Sequence, residues 1–264
     1  MTIVLAVRDS PVARALHASG AMPPDVSVET SGPWTEGALR ELEGRGLLLH
    51  NGVWDWSLAH PHAAADQDAL DLTRTRLRAT GAPWLSLHPG FAAAAVRFER
   101  GMQATSRVLD RDEARDRMVR TVRVVGQHLD VPVLLENLDA QASRACDHVC
   151  EPSFISDVVR ASDAGFLLDL AHAQVSAARL GMSVHAYLAA LPLERMREVH
   201  VSGPRWRRGG VLGDAHATLR SEDLALLDVV LHEATPWAVT LEFAGSAAAL
   251  LGDVAKLATR IERI

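Results

Sequence analysis

The sequence predicts a (β/α)8 barrel, a TIM barrel, as a single domain over residues 1–264. Three observations carry this. Short runs apolar at nearly every position recur along the chain, as in parallel strands buried on both faces. They alternate with amphipathic stretches of helical period. The length, 264 residues, suits eight such units, which need about 250. An open doubly wound sheet is the other arrangement of these elements. It would call for a glycine-rich fingerprint after the first strand, and none stands there.

The strand runs are 3–7, 26–30, 46–50, 83–88, 131–136, 165–169, 198–201 and 237–242. Helical patterns are read at 35–45, 66–80, 110–129, 152–161, 183–190, 221–234 and 246–264. In 110–129, Ala114, Met118, Val122 and Val125 fall on one face, with Arg and Asp opposite. Pro152 suits a first turn. Ser183, Ser221 and Ser246 are expected N-caps. An Ala-rich loop is expected at 92–95.

Composition narrows the class. Hydrophobic residues are 48% and charged residues 23%, which excludes a disordered chain, a collagen and a coiled coil. Net charge is -6, whereas a general nucleic-acid binder draws its affinity from cations. No apolar run approaches the ~20 residues of a membrane helix, and no basic segment precedes the first apolar run. The expectation is a cytoplasmic protein with neither nucleic acid nor membrane as partner. Cys146 and Cys150, with His148 between them, lack a nearby fourth ligand and are read as free thiols.

Barrel active sites lie at the carboxyl ends of the strands. The tips here are Glu29, His50, His88, Glu136, Asp169, His200 and Glu242. An ionisable group ending a buried strand is costly unless paired or metal-bound, and so many on one rim suggest metal. Two local pairs extend the set. Asp169 and His172 stand three residues apart at a strand end, with His172 expected in the following loop. Asp214 and His216 stand in the loop expected after the seventh strand, and alternate residues of an extended segment share a side. The candidate ligands are therefore His50, His88, Glu136, Asp169, His172, His200, Asp214, His216 and Glu242. Nine nitrogen and oxygen ligands without thiolate suit two or three ions of zinc, iron or manganese. Glu136 is expected to bridge two of them. Glu136, Asp169 and His200 are the expected catalytic residues. Arg205 and Arg207, with Arg208, either clamp a substrate carboxylate or phosphate or form a solvated basic loop. Asn137 is placed with Arg205 and Arg207 toward substrate. His60 and His62 are assigned to a loop, and His17, His128, His185 and His232 to solvent-facing helix positions.

The order of ligands is similar to that of three-metal barrels related to endonuclease IV and xylose isomerase. Within that group the chain resembles the multinuclear non-heme iron-dependent oxidases, which include the iron enzyme of methanobactin biosynthesis. The resembling segments are 48–53, 135–137, 167–177, 187–195, 197–203 and 213–216. The resemblance implies two or three iron ions, Fe(II) and Fe(III), with zinc as the alternative. It implies oxidation by O2 of a cysteine in a ribosomally made precursor peptide, often delivered by a small partner protein. Other readings of such a centre are a trinuclear zinc phosphodiesterase or abasic-site endonuclease, and a sugar isomerase-like enzyme. The chain departs from the family pattern at several places. His172 stands where many members have Asn, Pro204 where His is usual, Leu138 where Pro is usual, and Phe243-Ala244 where Trp-Asp is common.

Overall fold

The structure is a computed structural model and describes residues 2–32, 37, 40–50, 57–98 and 102–264. Its strands in chain order are β1 (Val4–Arg8), β2 (Ser27–Thr30), β3 (Leu47–His50), β4 (Leu85–Leu87), β5 (Val96–Phe98) and β6 (Met102–Ala104). Then come β7 (Val133–Glu136), β8 (Gly165–Asp169), β9 (Met196–Val201), β10 (Gly203–Arg207), β11 (Val211–Ala217) and β12 (Ala238–Leu241). Strands β1, β2, β3, β4, β7, β8, β9 and β12 pair in that order, and β12 returns to β1, closing the barrel. All of these pairings are parallel. The fold is the (β/α)8 barrel read from the sequence.

The helices are α1 (Pro11–Ala18), α2 (Gln67–Thr80), α3 (Arg111–His128), α4 (Pro152–Ser162), α5 (Leu170–Arg179), α6 (Val184–Ala189), α7 (Ser221–Glu233) and α8 (Ala247–Ile261). Most begin where a side-chain oxygen can satisfy an unpaired amide. Ser10, Asp66, Asp110, Ser183 and Ser246 each accept a backbone N–H three residues on. Helix α7 is capped differently from expectation. Its N-cap is Arg220 rather than Ser221, and Asp223 reaches back to accept the Arg220 backbone N–H at 2.9 Å. Of the helix expected at 35–45, residues 35, 36, 38 and 39, with its start at Thr35, lie outside the described residues; 37 and 40 are helical, and 41–45 form turns and a bend rather than the expected last turn of helix.

The sequence reading did not include α1 and α5, nor the antiparallel pairs β5–β6 and β10–β11. Helix α1 buries Ala13, Leu16 and His17, so His17 faces the core and not solvent. His185 and His232 are exposed as expected, and His128 is half-buried beside Gln67.

Two apolar regions hold the barrel. The larger packs strands against helices. The smaller is a separate cluster of the strand residues Ala6, Leu48, Leu134, Leu167 and Ala238 with Trp84, which immediately precedes β4. Beside Trp84 lies a buried polar contact: its indole N–H donates to Glu198 Oε2 at 2.8 Å, and the Thr240 hydroxyl donates to Glu198 Oε1 at 2.8 Å. Among the described residues no helix is long and apolar enough to cross a membrane.

The loop after β4 aims His88. Ser57 Oγ donates to Phe91 O at 2.8 Å and accepts the Phe91 amide at 3.0 Å, pinning this loop. Between these points Gly90 has φ +86°, and a Cβ there would collide with the Ser57 backbone. Gly90→Ala is therefore expected to lower stability by at least about 1 kcal/mol, the cost of left-handed backbone alone. Urea unfolding checks this, and an unchanged midpoint would contradict it.

Candidate metal centre

The carboxyl ends of the barrel strands bring together the ionisable residues that end them. His50, Glu136, Asp169, His172, His200 and Glu242 are all buried, Asp169 and His200 at 0% exposure. His88 is the most open of this group, with 39% of its side chain exposed. Burial of this many ionisable groups is tolerable only if each meets an opposite charge or an ion.

Glu136, at the end of β7, is the hub. Its Oε2 lies 2.6 Å from His88 Nε2 and 3.3 Å from His50 Nε2. Its Oε1 lies 3.2 Å from His172 Nδ1 and 3.6 Å from His200 Nδ1. The two oxygens thus face different imidazole groups, the geometry of a bridging carboxylate. His50 is oriented from behind by its Nδ1, 2.8 Å from Ser86 Oγ, which turns Nε2 into the site.

Asp169 and His172 are joined by helix capping. Asp169 is the N-cap of α5, and its Oδ1 accepts the His172 backbone N–H at 2.6 Å. His172 therefore sits in the first turn of a helix and not in a loop. Capping occupies Oδ1 and leaves Oδ2 toward the cluster. Asn137 is fully buried and does not face an open substrate space. Its amide clamps the Asp169 backbone, donating to Asp169 O at 2.9 Å and accepting the Asp169 N–H at 2.8 Å. The Asn137 carbonyl lies 2.9 Å from His172 Nδ1. With Nδ1 donating to that carbonyl, Nε2 faces Asp214 Oδ2, 3.8 Å away, and is the nitrogen left for an ion once its proton is displaced.

Asp214 and His216 come from β11 of the β10–β11 hairpin, a strand where a loop was expected. His216 Nε2 is 2.7 Å from Asp214 Oδ2 and 3.2 Å from Glu242 Oε2. Ser202 donates to Asp214 Oδ1 at 3.0 Å. His216 has φ +43°, a strained value for a residue with a Cβ. Arg205 donates to Pro204 O and Thr218 O, and Arg207 to Asp214 O. These guanidinium groups brace the hairpin.

Two residues beyond the nine belong to the arrangement. Arg8, the last residue of β1, has Nη1 3.3 Å from Glu242 Oε1 and 3.3 Å from His216 Nδ1. Glu29, a strand-end residue, has Oε1 3.0 Å from His200 Nε2. The strand-tip rule marks Glu29 directly. Arg8 looks like an ordinary exposed strand end, and nothing in the sequence separates it from other arginines. His60 and His62 contact each other, ring centroids 5.5 Å apart, and belong to none of the potential ligand clusters among the described residues. Cys146 and Cys150 are free and buried.

The donor set fits metal ions. Asp169 Oδ2 and His200 Nδ1 are buried without a hydrogen-bond partner, and Glu136 Oε2 is buried against the His88 and His50 nitrogens. Ligand atoms of His50, His88 and Glu136 lie within 4.8 Å of one another, as do those of Asp169, His200 and Glu242. Without ions, the charges balance as ion pairs. Burial pushes the Glu136 carboxyl up, but His88, His172 and His200 outweigh it and hold it well below the usual range. Burial lowers His50 to about 3 and raises Asp169 to about 7. Burial also opposes charge on His172 and His200, yet the surrounding carboxylates raise both well above the ordinary value. His216 is raised to about 10, where Asp214 and Glu242 outweigh its burial.

The chain is similar to several known proteins. A UPF0276 protein of Anaeromyxobacter sp. (strain Fw109-5) is 35% identical over 105 residues, 40% of this chain and 37% of that relative. The chain thus matches well under two thirds of that relative's length. A D-tagatose 3-epimerase-like protein has the same fold, with TM-score 0.66 and 12% identity over 100% of this chain and 97% of the other. The TTHB071 protein from Thermus thermophilus, solved after soaking with ZnCl2, gives TM-score 0.57 and 22% identity over 98% of each chain. Residues 29–263, from Glu29 past the last of the ligand-bearing strands, match one family throughout, and the chain belongs to it: the RiPP precursor modification enzymes MbnB/TglH/ChrH.

Proposed function

We propose that the chain is a multinuclear non-heme iron oxidase that uses O2 to modify a cysteine of a ribosomally made precursor peptide. The observation that carries this reading is the two-faced Glu136, set between separate groups of imidazoles, in a chain of this family. One ion is assigned to His50, His88 and Glu136, and a second to Asp169, His200 and Glu242 with the other Glu136 oxygen. A third is assigned to His172 Nε2, Asp214 and His216. When bound, iron ions supply open coordination positions, deprotonation of a bound thiol, and redox chemistry with O2.

The chain's own residues orient and enclose. Arg8 engages Glu242 Oε1 and leaves Oε2 toward His200 and His216. Asn137 and Ser86 fix which nitrogen His172 and His50 present. The hairpin brings Asp214 and His216 to the mouth, while the partly exposed His88 marks the side open to a peptide. We assign peptide delivery to a small partner protein and the reaction to the cytoplasm, where cysteine thiols stay reduced. The competing zinc reading draws on the name of one fold neighbour, solved after soaking with ZnCl2. A phosphodiesterase acting on DNA is disfavoured by the net charge of -6.

Metal analysis of protein purified without added metal tests the proposal, together with O2 uptake. About two or three irons per chain are expected, with O2 consumed and the mass changed when a Cys-containing peptide encoded beside the protein is supplied. Zinc as the sole metal, with no O2 uptake, would sink it.

Glu136→Ala is expected to remove more than one ion per chain, because a single carboxylate serves two positions. Elemental analysis reads this directly, and loss of one ion or none contradicts bridging.

Loading should release protons. His172 and His200 lie well above 6.5 and His216 at about 10 in the metal-free chain, so all three are charged at pH 7. An ion must displace those protons, so affinity rises with pH. His50, at about 3, is already neutral and contributes no proton. Zinc calorimetry at pH 7 in two buffers of different protonation enthalpy should show net release of more than one proton per chain. No release, or uptake, would refute the protonation pattern.

A further inference from the structure

His200 has two faces. Its Nδ1 looks into the cluster, 3.6 Å from Glu136 Oε1 and 4.0 Å from Glu242 Oε2, without a hydrogen-bond partner. Its Nε2 looks away, toward two buried carboxylates: 3.0 Å from Glu29 Oε1 and 3.7 Å from Glu198 Oε1. A histidine binds an ion through Nδ1 as the tautomer protonated on Nε2, and the hydrogen bond at Nε2 selects that tautomer.

Glu198 cannot make that bond as it stands. Its Oε1 accepts from Thr240 and its Oε2 from Trp84, both at 2.8 Å. Its distance of 3.7 Å from His200 exceeds a hydrogen bond. Glu29 meets the requirement. It is 2% exposed at the end region of β2 and reaches His200 on β9 across 171 residues of sequence. Strands β12 and β1 lie between β9 and β2 in the barrel order.

We infer that Glu29 is a positioning residue for the second ion, holding His200 so that Nδ1 is the ligand. It acts through the imidazole and touches no ion. This rests on the metal centre proposed above. The rival role is direct ligation, since atoms of Glu29, His50 and His200 also lie within 4.8 Å of one another. Ligation there would take the proton from His200 Nε2 and leave Nδ1 buried beside Glu136 with nothing to bind.

The test compares wild type, Glu29→Gln and Glu29→Leu, each stripped and reloaded with zinc alone. Bound zinc is measured per chain, and each step's affinity by competition with a chelator. Imidazole 15N NMR of the diamagnetic zinc form shows which His200 nitrogen is metal-bound. The Gln side chain keeps an oxygen that accepts the His200 N–H. It should hold every ion with near wild-type affinity, with Nδ1 bound and Nε2 protonated. The Leu variant should bind one ion about 10–100-fold more weakly, lose the fixed His200 signature and keep the other ions. Glu29→Gln losing an ion as fully as Glu29→Leu would make Glu29 a ligand and overturn the inference. So would wild-type affinity in the Leu variant, or loss of all its ions at once. Wild type that holds at most one zinc would overturn the centre itself, whereas the variant outcomes above overturn only the role of Glu29.

Discussion

The energetics of this barrel turn on one buried carboxylate. Glu136 ends β7 at 1% exposure, where an unpaired charge would cost several kcal/mol or more. Four imidazoles approach it from two sides, and each is held by something else. Ser86 fixes His50, the Asn137 carbonyl and the Asp169 cap fix His172, and Glu29 fixes His200. The loop pinned by Ser57 and Phe91 carries His88. The surrounding elements can be read as devices that keep these rings aimed at one point. Such support is what a metal centre needs, because ligand basicity and orientation depend on the atoms behind the ligands.

The polar groups follow the barrel axis. Trp84, Glu198 and Thr240 form a closed set in which every donor has its acceptor. Glu29 and His200 connect it to Glu136, Asp169 and Glu242. Asp214 and His216 then add candidate ligands from the β10–β11 hairpin. Nearer the mouth, hydrogen bonds give way to atoms without a hydrogen-bond partner, Asp169 Oδ2 and His200 Nδ1. A satisfied network beneath an unsatisfied one is the arrangement expected where an added ion completes the structure, since half-satisfied buried polar groups are otherwise destabilising.

Much of this was legible in the sequence, for a physical reason. A parallel barrel strand is apolar on both faces, so an ionisable residue at its end stands out against the run before it. That contrast identified Glu136 after Val133, Leu134 and Leu135, and Asp169 after Phe166, Leu167 and Leu168. It equally marked Glu29, but it cannot separate a ligand from the group that steers a ligand. That distinction needs the facing atom of His200. The hairpin was less legible because Arg205, Trp206, Arg207, Asp214 and His216 are polar or exposed along much of it, and no apolar alternation announces β10 or β11. Helix α5 was hidden for another reason. Its N-cap, Asp169, is also a strand-tip acid, so the Asp-to-His spacing read as a loop bearing two ligands. Both functions share one residue, one oxygen for the helix and the other for the cluster.

That sharing bears on which properties carry over within the family. A ligand that also caps a helix or anchors a backbone cannot change without moving structure. Asp169 and its clamp Asn137 are of this kind. One departure from the family pattern, His172, is itself a candidate ligand, and the others fall elsewhere. Leu138, Pro204 and Phe243 are buried wall positions without polar side-chain atoms. At Pro204 the family's usual histidine gives way to a residue that supplies neither a titratable group nor a backbone donor. At Phe243 a ring replaces the usual Trp and packs over Gly245, where a Cβ would strike it. The changes at 204 and 243 remove hydrogen-bonding side chains from buried positions, whereas Leu138 in place of proline regains a backbone N–H. Pro204 and Phe243 thus vary without touching Asp169, which its cap and the Asn137 clamp tie to the backbone.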